Sequence, residues 1–187
     1  MATRIIPDLP ILFLDTGYHF WDTLLFREKI AHEWNLNIID LRRAPRWDSF
    51  MRQNARTLPL EDPNLCCYLN KVEPMQIALK GYRAWISGIR RDQTSLRGKA
   101  RAIEWDKTNN LVKVNPLLTW TQEQVWTYIH LFELPYNILH TRGYPSIGCA
   151  PCTRPVAEGA DPRSGRWVGH KKVECGIHLQ EEDEKPA

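Results

Sequence analysis

No apolar run in the 187 residues approaches the ~20 needed for a helix to cross a bilayer. The first residues also lack the basic, apolar and small-residue order of a secretory leader. Neither an internal repeat nor a long linker interrupts the chain, so one domain is the expectation. Charge of one sign is scarce too: the net value is only +3. So mild a balance suits a small anionic ligand better than a nucleic-acid groove. The cytoplasm is the expected compartment, and neither a membrane nor a nucleic acid is an expected partner.

What is present is ordinary in bulk and uneven in place. Hydrophobic residues make up 43% and charged residues 25%, enough to bury a core. Arg90-Arg91, Arg97, Lys99 and Arg101 crowd one central stretch, with Lys71 and the segment from Arg163 to Lys172 adding positive charge, whereas Gln180 to Lys185 is acidic. Without an export signal, the five cysteines argue against a disulfide scaffold.

Pro10 to Leu14 is a short apolar run ending in Asp15-Thr16-Gly17, the pattern of a buried parallel strand and a turn. Helical spacing of Phe20, Leu24, Ala31 and Trp34 follows, then a second strand at Asn37–Leu41. This β-α-β order predicts a parallel sheet with a right-handed crossover. A helix is expected between about Trp47 and Arg56, and another over Cys66–Lys80 with a turn or kink at Pro74. Ala84–Gly88 and Leu111–Val114 read as strands. A helix is expected over Thr119–Ile129, with Val125 and Ile129 on one face. From Leu134 onward, proline and glycine predict loop held by something other than a large core. Ligands of open α/β sheets bind beyond the carboxyl ends of strands. Asp15-Thr16-Gly17 offers turn amides at that edge, and Gly88-Ile89-Arg90-Arg91 offers guanidinium groups; both suit anionic oxygens.

The cysteines fall as two pairs and one single: Cys66-Cys67, Cys149-Ala150-Pro151-Cys152, and Cys175. A Cys-x-x-Cys step serves zinc, iron–sulfur or redox dithiol chemistry equally well. Adjacent cysteines are more telling, because successive side chains diverge and seldom meet on one small ion. A cubane cluster presents its irons at separate corners and takes four thiolates. Buried unliganded thiols and a structural zinc site remain open on spacing alone. Cys175 lies in Lys171-Lys172-Val-Glu174-Cys175-Gly-Ile-His178, where little core can form, which suits a thiol that moves between a site and an external partner. The lysines and His178 would lower its pKa and Glu174 would raise it.

Longer stretches carry a resemblance. They are Leu14-Asp15-Thr16-Gly17-Tyr-His-Phe20, Cys66-Cys67-x-x-x-Lys71-Val-x-Pro74, Ser87-Gly88-Ile89-Arg90-Arg91-Asp92-Gln93, Lys113-Val-Asn-Pro116-Leu and Trp120-Thr. Gly143-Tyr-Pro-Ser-Ile-Gly-Cys149-x-Pro-Cys152, Arg163-Ser-Gly-Arg166-Trp167 and Glu174-Cys175-Gly-Ile-His178 complete the set. Together they resemble the assimilatory sulfonucleotide reductases, in particular the iron–sulfur adenylyl-sulfate reductase branch. The resemblance implies a Rossmann-like α/β fold of the adenine-nucleotide α-hydrolase type over residues 1–160, with a loop-rich C-terminal catalytic arm and acidic tail over 161–187. It implies a [4Fe-4S] cluster on Cys66, Cys67, Cys149 and Cys152. Cys175 is implied to attack the sulfur of adenylyl sulfate, giving AMP and an S-sulfocysteine that thioredoxin or a glutaredoxin-like dithiol cleaves to sulfite. Asp15, Thr16, Gly17, Lys71, Arg90, Arg163, Arg166 and His178 match the substrate-contacting positions. A homo-oligomer is left open.

Two departures from the family pattern stand out. The Ser-Gly-Gly-x-Asp-Ser phosphate loop and its strand, which there precede Leu-Asp-Thr-Gly, have no counterpart in these residues. An N-terminally truncated domain that binds nucleotide weakly is therefore expected. Asn70 stands where a basic residue is expected beside Lys71. The competing expectations are a phosphoadenylyl-sulfate reductase, and a cluster- or zinc-binding module without catalysis.

Overall fold

The computed structural model describes residues 1–178; the acidic stretch Gln180–Lys185 lies outside them. Strand β1 (Ile11–Leu14) leads through α1 (Trp21–Glu33) to β2 (Ile38–Leu41), and the two strands pair in parallel with Ile11 opposite Ile38. This is the β-α-β unit that the apolar pattern predicts. The helix is less embedded than its spacing suggests. None of its residues is buried, and Trp21 is 71% exposed.

Short helices α2 (Asp48–Asn54), α3 (Leu58–Glu61) and α4 (Pro63–Cys67) follow. Asp62 caps α4 by accepting from the amides of Asn64 and Leu65. A π-helical turn, Tyr68–Val72, then joins α4 to α5 (Glu73–Ala78). The helix expected over Cys66–Lys80 is thus continuous in direction but widened by one turn. The widening has a local cause: Pro74 carries no amide hydrogen and sits in the first turn of α5, where an α-helical bond back to Asn70 could not form.

Strand β3 (Ala84–Ile86) pairs in parallel with β5 (Leu111–Val114), and β4 (Ile103–Asp106) pairs antiparallel with β5. A short helix, α6 (Ser95–Gly98), lies between β3 and β4. The strand β4 escaped the sequence reading because Ile103-Glu-Trp-Asp is an alternating edge pattern with Ile103 and Trp105 exposed. Helix α7 (Gln122–Leu131) begins three residues later than its apolar pattern suggests. Thr121 is its cap, and a reciprocal Gln124 bond to the Thr121 amide completes a capping box.

Among the described residues the parallel pairing is carried by two sheets, β1-β2 and β3-β5-β4, with β4 the antiparallel edge of the second. The free edges of β1 and β3 line one apolar cavity of about 450 Å³ with Met75 and Leu79. One core cluster joins Leu41, Met75, Leu79, Trp85 and Leu111, with Leu12, Leu14 and Ile177 packed against it. A second holds Met51, Leu58, Cys66 and Leu69, with Tyr18, Trp47 and Phe50. The first core is where the end of the described chain docks. The second supports the cysteines.

Candidate active site

Cys66 and Cys67 end α4 and are both buried, as is Cys149; Cys152 and Cys175 are partly exposed, and none of the five is in a disulfide. The folded chain brings Cys66 within electrostatic reach of Cys67, Cys149 and Cys152, and Cys67 within reach of Cys149 and Cys175. Burial, then the neighbouring Cys67, Cys149 and Cys152, push the Cys66 thiol up to about 12. Burial likewise raises Cys67 and Cys152, with Lys71 opposing in both. Cys149 caps and Cys152 ends a single 3₁₀ turn, Ala150–Cys152, with Pro151 inside it. Among the described residues, no group of three or more His, Cys, Asp or Glu side chains converges on one metal-ion position.

Two cations face this group. Burial alone would lower the pKa of Lys71, but the thiolates of Cys149, Cys67 and Cys175 outweigh it and raise the pKa. Burial lowers that of Arg166, against the pull of Cys175, Cys149, Cys152 and Cys67. Arg166 also stacks on Trp167 at 4.5 Å. A side chain at Gly148 would collide with the Arg166 guanidinium, so glycine before Cys149 is what lets the arginine lie beside the cysteine loop.

The segment carrying Cys175 is docked. Arg163 donates to the carbonyl of Val173 at 2.8 Å, and Lys172 donates to Asn64 on α4 at 2.6 Å. Glu174 is held by Arg97, while Gly176 turns the chain at φ +93° directly after Cys175. Ile177 packs into the first core, and the His178 ring stacks on Trp85 at 5.8 Å. Cys175 thereby comes within electrostatic reach of Cys67, Lys71 and Arg166.

Not every expected substrate contact faces the thiols. Asp15 accepts from Arg42 at 2.9 Å and from the Gly17 amide at 3.2 Å, and Gly17 takes a left-handed φ of +73°. Thr16 is 1% exposed and points inward: its hydroxyl lies 3.4 Å from the Cys149 sulfur and accepts from the Tyr18 amide. The turn that reads as an anion cradle therefore also braces a cysteine. Arg90 is paired with Asp92 at 2.9 Å. It lines a cavity of about 820 Å³ together with Arg91, Arg97, Arg163 and Arg166. His178 departs from its expected role as a cation. Burial first, then Lys113 and Arg97, push its pKa down to about 3, and its Nδ1 is buried without a partner among the described residues. In the docked arm it is a neutral stacking ring.

Asn70 also has a place of its own. Its amide donates to the Cys66 carbonyl at 2.9 Å and reaches the Cys66 sulfur at 3.7 Å. Reading the sequence alone missed the Arg97–Glu174 ion pair and the Thr94 hydroxyl on the same carboxylate. The only trace of it was a carboxylate next to Cys175 and an arginine in the central basic stretch.

The neutral state of His178 predicts a pH dependence. An undocked His178 takes up a proton below its ordinary pKa of about 6.5, whereas the docked ring refuses one until about pH 3. Docking stability from this residue is thus fully present above pH 6.5 and falls as pH drops through that window. The groups facing the ring are Lys113, Arg97, Glu174 and Arg163. Protection factors at residues 173–178, measured against the intrinsic exchange rate at each pH, should fall by at most ~10-fold per pH unit on acidification. His178→Phe, which keeps a ring on Trp85, should flatten that response.

The model of the phosphoadenosine phosphosulfate reductase domain matches residues 1–155. The chain belongs to this family. Its relatives include a phosphoadenosine 5'-phosphosulfate reductase of Gloeobacter violaceus, 45% identical over 183 residues, covering 95% of this chain and 75% of that one. An adenosine 5'-phosphosulfate reductase of a Geobacillus species is 44% identical over 180 residues, covering 96% and 77%. Among solved structures, the phosphoadenylyl-sulfate reductase of Candida auris in complex with phosphate matches with a TM-score of 0.66. It is 29% identical and covers 82% of this chain and 74% of that one. An FMN adenylyltransferase of Candida glabrata shares the fold at a TM-score of 0.60 and 19% identity, covering 83% and 48%. These likenesses agree with the adenine-nucleotide α-hydrolase type of α/β fold. This family member contains no helix long and apolar enough to cross a membrane among its described residues.

Proposed function

We propose that the chain catalyses the thiol-dependent reduction of adenylyl sulfate to sulfite and AMP. The observation that carries the reading is the convergence of Cys175, Lys71 and Arg166 beside four further thiols. In the proposed reaction, the Cys175 thiolate attacks the sulfuryl sulfur. An S–S bond forms, the S–O bond to the nucleotide breaks, and its electron pair leaves on the phosphate of AMP. Sulfuryl oxygens repel an incoming thiolate, so fixed positive charge is needed to bring the two together. Lys71, Arg163 and Arg166 supply it, the first with its charge stabilised by thiolates.

Four thiols suit a [4Fe-4S] cluster: Cys66, Cys67, Cys149 and Cys152. They are free, and close enough to repel one another as thiolates. The adjacent pair Cys66-Cys67 suits separate corners of a cubane better than a single zinc. When bound, such a cluster supplies electrostatic support to the substrate by way of Lys71, while thiols supply both electrons. With four thiols committed as ligands, Cys175 has no internal partner. An external dithiol of the thioredoxin or glutaredoxin kind then attacks the Cys175 sulfur, sulfite leaves with the S–S electron pair, and the second thiol resolves the mixed disulfide.

A second reading, use of the 3'-phosphorylated nucleotide, is favoured by the name of the Gloeobacter relative. Iron-loaded protein incubated with each nucleotide and weighed intact separates the two. The expected result is one SO₃ group added from adenylyl sulfate, released as sulfite by reduced thioredoxin. A clear preference for phosphoadenylyl sulfate would overturn the assignment.

A further inference from the structure

We propose that Arg97, acting with Thr94 and Arg163, positions Cys175 by clamping the carboxylate of Glu174. This rests on the reading of Cys175 as the nucleophile, and it assigns Arg97 and Glu174 as positioning residues.

The Glu174 side chain is only 2% exposed, and its carboxylate is met by Arg97, Thr94 and Arg163. Arg97 donates to both of its oxygens, Nε to one at 2.6 Å and Nη2 to the other at 2.8 Å, the two-pronged arrangement that fixes direction as well as distance. Thr94 donates its hydroxyl at 3.0 Å, and Arg163 lies 3.8 Å away. Burial would raise the Glu174 pKa, but Arg97, Arg163 and Thr94 outweigh it, so the carboxylate is ionised.

The clamp is built from a rigid piece. The same Thr94 oxygen accepts the Arg97 amide at 3.3 Å and caps α6. Arg97 also donates to Gln93, whose side chain accepts the Arg90 amide. The guanidinium is therefore held from its own side before the arm arrives. Arg163 joins the two halves, since its Nη2 donates to the carbonyl of Val173, the residue before the glutamate.

Position in the chain makes this more than a stabilising ion pair. Cys175 follows Glu174 directly, and Gly176 follows in a left-handed conformation. A side chain at Gly176 would meet Val72 of the π-helical turn at 3.0 Å. The sulfur is thus suspended between a clamped carboxylate and a fixed turn, and any movement of Glu174 is passed to it. A buried carboxylate that loses its arginine is destabilised where it lies, which favours its release to water. Opening the pair therefore frees the arm, which is what an external dithiol needs to reach an adduct on Cys175.

The test measures two rates on iron-loaded Glu174→Gln, Thr94→Val, Arg97→Ala and the exchanged pair Arg97→Glu with Glu174→Arg. One is alkylation of Cys175 by iodoacetamide without substrate, located by peptide mass; the other is S-sulfonate formation from adenylyl sulfate. Equal iron content and circular dichroism establish that each variant is folded. The expected result for the single variants is alkylation faster by ~10-fold or more. Sulfonation should fall ~100-fold in kcat, with KM changed less than ~3-fold, because displacement by about 1 Å costs that much. Charge exchange should restore part of both rates. Unchanged alkylation in Glu174→Gln and Arg97→Ala would overturn the clamp, as would a loss confined to KM. Should wild-type protein form no S-sulfonate, the nucleophile reading fails by itself, and the alkylation rates still decide whether Glu174 holds the arm.

Discussion

Replacing Cys175 by Ser will leave a folded, iron-loaded protein that acquires no SO₃ group from adenylyl sulfate. The residue is partly exposed and outside both core clusters, so losing its sulfur costs little packing. A hydroxyl at this position is neither ionised near neutral pH nor soft enough to attack sulfur. Lys71 and Arg166 would remain to bind the anion. Substrate affinity should therefore survive while sulfite release falls on the order of 10⁴-fold or more. Isothermal titration with AMP and a thioredoxin-coupled sulfite assay separate the two. Retained sulfonation in this variant would place the nucleophile elsewhere and end the proposed mechanism.

Replacing Cys149 by Ala should have the largest effect on the folded state. The thiol is buried, contacts Thr16 at 3.4 Å, and is the cysteine that interacts most strongly with Lys71. The variant should bind no stoichiometric iron or sulfide. Its thermal midpoint should fall below that of the loaded wild type by about 10 °C or more, because binding to the folded state alone is linked to stability. Metal analysis finding zinc without iron or sulfide in the wild type would remove the cluster. Unaltered iron binding by Cys149→Ala would remove this residue from its ligands.

Tyr18 shows how closely the two ends of the site are bound. Its hydroxyl donates to the Ala55 carbonyl at 2.7 Å, and its main-chain carbonyl accepts the Ala150 amide of the cysteine turn. The segment after β1, the end of α2 and the loop of Cys149 are thereby tied together, and Tyr18 packs in the same cluster as Cys66. The docked arm closes over it. The same docking makes His178 neutral, so a residue that reads as a cation in the sequence becomes part of the packing.

Much of this was written in local patterns. An apolar run before Asp-Thr-Gly is enough to specify β1, because a buried parallel strand needs apolar residues on both faces. The shared face of Val125 and Ile129 specifies helix α7, though its start at the Thr121–Gln124 box lies three residues beyond what that spacing implies. The pairing of cysteines, their resemblance to a known set, and the solitary thiol at Cys175 are also visible in residue order. Spacing along a chain, however, carries no information about which distant segments meet. Only the tertiary structure decided that Thr16 turns inward to a sulfur and that the strands lie in two sheets. The clamp on Glu174 is of the same kind, since its two halves are 77 residues apart. Ion pairs of that reach depend on packing and desolvation, which no local pattern encodes. The chemistry was therefore legible in the sequence, and the placement of the reacting sulfur was not.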